Sequence, residues 1–143
     1  MQKMMFRSGF VALALVAGLA PFAMADTVKL TADLKGASEV PPTQSAGTGT
    51  LEASYDTATK QLTYTVTYTG LTGPATAAHF HGPAEVGKNA GVAVPVQGSV
   101  ASPIKGTATL TDAQAADLLD GKYYFNIHTD ANKPGEIRGQ VMK

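Results

Sequence analysis

Leu62-Thr63-Tyr64-Thr65-Val66-Thr67-Tyr68-Thr69 decides the fold, because large apolar or aromatic side chains alternate with threonine along its whole length. Successive side chains of an extended chain point to opposite faces, so this stretch is a strand with one face in a core and one in water. Working outward, Val28, Leu30, Ala32 and Leu34 alternate with Thr27, Lys29, Thr31 and Asp33. Leu51, Ala53 and Tyr55 mark another strand, joined to the Leu62 strand through the polar loop 56–60. Clean alternation rich in β-branched and aromatic residues belongs to antiparallel sheets with one solvated face.

Further strands are predicted over Ala75–His81, Val92–Val96, Ile104–Leu110, Lys122–His128 and Glu136–Met142. Pro95 has no N–H to give a ladder, so its strand is expected at an edge or a bulge. One short helix precedes the Lys122 strand. Thr111 with Gln114 three residues on makes a capping box, Ala115, Leu118 and Leu119 make an apolar face, and Gly121 ends the helix. About eight antiparallel strands and one helix imply an all-β Greek-key sandwich or flattened barrel.

Residues 1–25 read as a cleaved signal peptide. Lys3 and Arg7 form its positive end, Phe10 to Leu19 its apolar run, and Ala23-Met24-Ala25 its cleavage site. The run is too short for a membrane span, and no cysteine follows it for lipid attachment. The expected product is an exported, periplasmic or secreted single domain over residues 26–143, not held in a membrane. Without Lys3 and Arg7 the chain keeps nine basic against 11 acidic residues, a balance that offers no basic patch for nucleic acid. With no cysteine in the chain, neither disulfide nor thiolate chemistry is open to it.

The chemistry concentrates in the histidines. All three lie in Ala78-His79-Phe80-His81-Gly82-Pro83 and Asn126-Ile127-His128-Thr129. On a strand His79 and His81 share a face, away from Phe80 and Ala78, and His128 shares one with Asn126 and Tyr124, away from Phe125 and Ile127. The rings therefore lie off the core, partly exposed, with an ordinary pKa that leaves them neutral above about pH 6.5. Brought together on adjacent strands, three imidazoles would bind copper, zinc, iron or nickel. The bland alternative is a polar network of imidazoles with backbone carbonyls, Thr129 or Asn126. In Pro134-Gly135-Glu136-Ile137-Arg138-Gly139-Gln140, Glu136, Arg138 and Gln140 share one face. Arg138 could draw an anion to the histidines, with Asn126 and Glu136 beside it, or simply pair with Glu136, Glu39 or Asp130. Gly135 and Gly139 suit a turn and close strand packing. No nucleophile elbow, phosphate loop or EF-hand pattern is present.

The chain resembles the CHRD family, first described in chordin and widespread in exported microbial proteins. The likeness runs through Glu39-Val40-Pro41-Pro42, Gly70-Leu71-Thr72-Gly73-Pro74, Ala78-His79-Phe80-His81-Gly82-Pro83-Ala84, Leu118-Leu119-Asp120-Gly121, Asn126-Ile127-His128-Thr129 and Pro134 to Gln140. A fainter likeness is to copper–zinc superoxide dismutases, which are eight-stranded Greek-key sandwiches. Gly70-Leu71-Thr72 followed by His79-Phe80-His81 looks like their strand with two copper ligands, and His128 with Arg138 like their last copper ligand and active-site arginine. This chain has no further histidine to bridge two metals, and the zinc ligands are missing.

The leading expectation is a binding module with one copper ion, or zinc, on His79, His81 and His128. A second is a superoxide dismutase-like redox enzyme with Arg138 steering the anion. A third is a metal-free envelope or extracellular interaction module whose protein partner the sequence does not name.

Overall fold

The computed structural model describes residues 18, 20 and 24–143, so most of the expected leader lies outside the described residues. Among these, eight strands form: β1 (Thr27–Lys35), β2 (Thr48–Asp56), β3 (Gln61–Thr69), β4 (Ala75–His81), β5 (Val92–Pro95), β6 (Ile104–Thr109), β7 (Tyr124–Thr129) and β8 (Ile137–Gln140). The helix α1 (Asp112–Leu119) lies before β7. The strands make one antiparallel sheet in the order β5-β4-β7-β8-β1-β2-β3-β6. The chain passes from one half of the sheet to the other between β3 and β4, returns for β6, and crosses again before β7, a Greek-key path.

The halves meet at a narrow seam. β1 pairs with β8 only at Lys35 and Arg138, supplemented by a bridge from Thr31 to Met142. Gly139 lies there because a Cβ would collide with the Asp33 carbonyl of β1. The sheet curls about this seam, so that Tyr64 on β3 packs edge-on against Phe80 of β4, centroids 5.1 Å apart, and near Phe125 of β7 at 6.4 Å. Leu30, Leu34, Leu51, Leu62, Val66, Ile127 and Ile137 complete one fully buried core.

The alternation was read correctly on every long strand; the ends moved. The Lys122 strand begins at Tyr124, because Gly121 and Lys122 are occupied in closing α1. Gly121 N–H donates to Leu118 O at 3.1 Å and Lys122 N–H to Asp117 O at 2.9 Å, a two-bond C-cap with Gly121 at φ +74°. At the other end Thr111 and Gln114 form the expected reciprocal cap. β5 is the sheet edge, as Pro95 required.

Candidate metal centre

Cross-strand register brings the histidines together. On β4 and β7, Phe80 faces Phe125 and Ala78 faces Ile127 inside the core. The intervening residues turn outward, so His79 lies opposite Asn126, His81 opposite Tyr124, and Ala77 opposite His128. His128 is then the diagonal neighbour of His79, within reach of a long ring on a pleated surface. The small side chain of Ala77 leaves the imidazole room to lean across.

The rings meet edge to face, with His79 4.9 Å from His128 and 5.5 Å from His81 between centroids. Nδ1 of His79 lies 3.0 Å from Nε2 of His128. Two nitrogens about 2.0–2.1 Å from one ion would stand about 2.9 Å apart at a right angle and about 3.4 Å apart in a tetrahedron. One nitrogen from each of the three rings lies within 4.8 Å of the others. A span of 4.8 Å must contract by about 1.5–2 Å to grip one ion at the usual Zn–N length. His79 and His128 are half-buried, so rotation of these rings toward the buried His81 is the movement that would close the span.

Backbone carbonyls set the protonation of two rings. His81 Nδ1 donates to Ala90 O at 3.0 Å and His128 Nδ1 to Lys133 O at 2.7 Å. A carbonyl can only accept, so each ring carries its proton on Nδ1 and keeps a lone pair on Nε2. Among the described residues His81 Nε2 is buried with no hydrogen-bond partner, although the nearby Asn126 side chain raises the ring's pKa. An orphaned buried acceptor costs free energy, and a cation is one group able to recover it. The carbonyl–imidazole arrangement is the outer-shell pattern that orients metal-binding histidines.

The expectation of ordinary pKa values is corrected here. Burial lowers both His79 and His81, reinforced at His79 by the neighbouring rings of His128 and His81. For His81 burial prevails over the bond to Ala90 and the influence of the Asn126 side chain, both of which raise the pKa. Loops over the outward face caused the difference, and strand alternation carries no information about loop cover. Both rings are held neutral, the form that binds metal.

The flanking residues divide. Asn126 is buried beside the site, donating to Pro134 O at 3.3 Å, with Oδ1 lacking a hydrogen-bond partner among the described residues. Arg138 forms none of the expected ion pairs with Glu136, Glu39 or Asp130 among the described residues. Its guanidinium donates to Asn89 Oδ1 at 2.8 Å and to Lys88 O, and its carbon lies 3.4 Å from the centre of the Tyr124 ring. Glu136 is not part of the histidine network. It precedes β8, after Gly135 at φ +136°, so the strand alternation that would have turned it toward Arg138 does not apply. Its carboxylate instead accepts from Thr72 N at 2.9 Å, Thr72 Oγ1, Ser45 Oγ at 2.8 Å, Thr129 Oγ1 at 2.7 Å and Asn132 Nδ2 at 3.1 Å. Burial alone would raise its pKa, but these bonds prevail and hold it at about 2.

Sequence reading missed Tyr124 as a site residue. It lies flat against His81, centroids 4.8 Å apart and planes within 3° of parallel. Glu39 is read from the sequence as part of the Glu39-Val40-Pro41-Pro42 motif and as a possible Arg138 partner, not as a buried group. It is 5% exposed, and burial pushes it up to about 7 despite Arg138 and Asn126 nearby. The shared face of Tyr124, Asn126 and His128 was the available signal for Tyr124; Glu39 had none, since its burial comes from loop packing.

Among the described residues no helix is long and apolar enough to cross a membrane. No curated protein and no solved structure matches the chain. The family model for the CHRD domain matches residues 30–141, from the first core leucine of β1 to the last buried valine, and the chain therefore belongs to the CHRD domain family.

Proposed function

We propose that this chain is an exported binding protein that holds one copper ion through His79, His81 and His128. The observation that carries the reading is the convergence of three imidazole nitrogens, one of them a buried acceptor without a hydrogen-bond partner among the described residues. A polar network accounts for His81 Nδ1 and His128 Nδ1, yet it leaves His81 Nε2 unsatisfied. Copper is preferred over zinc because affinity for nitrogen ligands rises toward Cu(II) in the first-row series. Zinc would occupy the same three nitrogens and leave a fourth position open. The leader over residues 1–25 supports export to an oxidising compartment, where a cysteine-free protein risks no thiol oxidation.

Arg138 is committed to Lys88 and Asn89, which withdraws support from the redox reading in which it steers an anion. A binding role is the simpler use of the site. Purified protein is expected to take up about one copper per chain, and the ion should raise the melting temperature by mass action. His128→Ala should abolish both effects. Titration calorimetry that shows no copper uptake beyond buffer controls removes the proposal.

A further inference from the structure

The outward face around the histidines is roofed by the loop 82–91, and one of the residues that hold this roof down, Tyr124, stacks on His81. Tyr124 is the centre of a three-layer stack. Strand order places β4 on one side of β7 and β8 on the other, so His81 covers one face of the phenol ring and Arg138 the other. The Tyr124 hydroxyl lies 3.1 Å from both the N–H and the carbonyl of Ala90. Arg138 grips the preceding two residues of the same loop, through the Lys88 carbonyl and the Asn89 side chain. Asn89 in turn donates to Val40 O at 3.0 Å, tying this loop to the segment that follows β1. The carbonyl so positioned, that of Ala90, is the one that accepts from His81 Nδ1.

We propose that Arg138 and Tyr124 are positioning residues of the metal centre, which clamp the loop 82–91 so that the Ala90 carbonyl keeps the His81 proton on Nδ1 and frees Nε2 for the ion. The inference rests on the reading of the three histidines as a metal site. The physical reason is that a neutral imidazole has two tautomers, and the partner of one nitrogen decides the state of the other. If the Ala90 carbonyl drifts away, Nδ1–H loses its acceptor and the proton can move to Nε2, where the ion needs a lone pair. The arginine acts by its fork geometry, not by its charge, because its two arms reach acceptors on adjacent residues. A lysine keeps the charge and loses the second arm.

The test reads the tautomer directly. Long-range proton–nitrogen correlation spectra of the metal-free protein should show His81 as the Nδ1–H form. Arg138→Gln, Arg138→Lys and the exposed-loop variant Asn89→Ala should each mix in the Nε2–H form, and Tyr124→Phe should do so through loss of its hydroxyl. Copper affinity should fall about 10- to 100-fold in the arginine variants, the usual cost of removing an outer-shell partner. Asn89→Ala, which changes an exposed side chain, keeps the inference testable if the arginine variants fail to fold. An unchanged His81 tautomer in Asn89→Ala and in every folded Arg138 variant overturns the positioning role. An affinity that Arg138→Lys retains in full overturns it too, by showing that charge alone matters. Wild-type protein with the Nδ1–H form but no copper uptake overturns instead the metal reading on which the inference rests.

Discussion

On β1, β2, β3 and β6 the side chains that turn away from the core stay in water, whereas on β4, β7 and β8 they are covered by loops. Both faces come from the same alternation. The first is a field of threonines, with Thr31 level with Glu52 and Thr65, and Ser54 level with Thr63 and Thr107. It even holds a shallow recess of about 450 Å³ between Lys29, Thr31, Glu52, Ser54, Thr63 and Thr65. The second carries His79, His81, Tyr124, Asn126, His128 and Arg138, roofed by the loop 82–91 and bounded by the turn at 130–135. Concavity alone does not make a site. Threonine hydroxyls in water rotate freely and satisfy one another or the solvent, while His79 and His81 are desolvated and the protons of His81 and His128 face fixed carbonyls.

The contrast predicts where substitutions hurt. The largest effect is expected at Glu136, whose buried carboxylate joins Thr129 at the end of β7 to Ser45, Thr72 and Asn132 from three separate loops. Glu136→Ala leaves those donors without an acceptor and should cost about 4 kcal/mol in urea denaturation. A loss under about 1 kcal/mol would mean that the loops hold without their charged knot.

Next comes pH. Glu136 is depressed from 4.5 to about 2, so its stabilisation is full above pH 4.5 and is lost as pH falls toward 2. Glu39 runs the other way. Raised from 4.5 to about 7 by burial, it favours the folded state below pH 4.5, and that contribution is lost as pH rises toward 7. Glu39→Gln should therefore flatten the stability profile between pH 4.5 and 7 and gain about 2 kcal/mol at pH 8. An identical profile for wild type and variant would show that Glu39 titrates normally.

The smallest effect is expected on the open face. Thr63→Ala removes an exposed hydroxyl that faces Ser54 and Thr107, and should change stability by less than about 0.5 kcal/mol. A larger loss there, measured beside Glu136→Ala, would erase the distinction between the two faces.

Much of this was legible in the residues. Leu62 to Thr69 announces a half-buried strand, and Thr111 with Gln114 and Gly121 announces a capped helix, because both signals are local: pleat periodicity in one case and orphan N–H and C=O groups in the other. That His79 and His81 share a face follows from the same pleat. The assignment of Glu136 to the Arg138 face failed because Gly135, at φ +136°, turns the chain just before β8 begins, so the alternation of β8 does not carry back to Glu136.

What the sequence by itself determined was the alternation, the eight strands, the helix, the family, and which side of each strand the histidines occupy. Tertiary structure alone decided that His128 stands diagonal to His79, that Arg138 bonds Lys88 and Asn89 of the loop 82–91, and that Ala90 and Lys133 accept from the imidazoles. The reason is range. Strand and cap signals are carried by neighbours in the chain, but register between β4 and β7, and the carbonyls that a folded loop brings over them, exist only after distant segments have met.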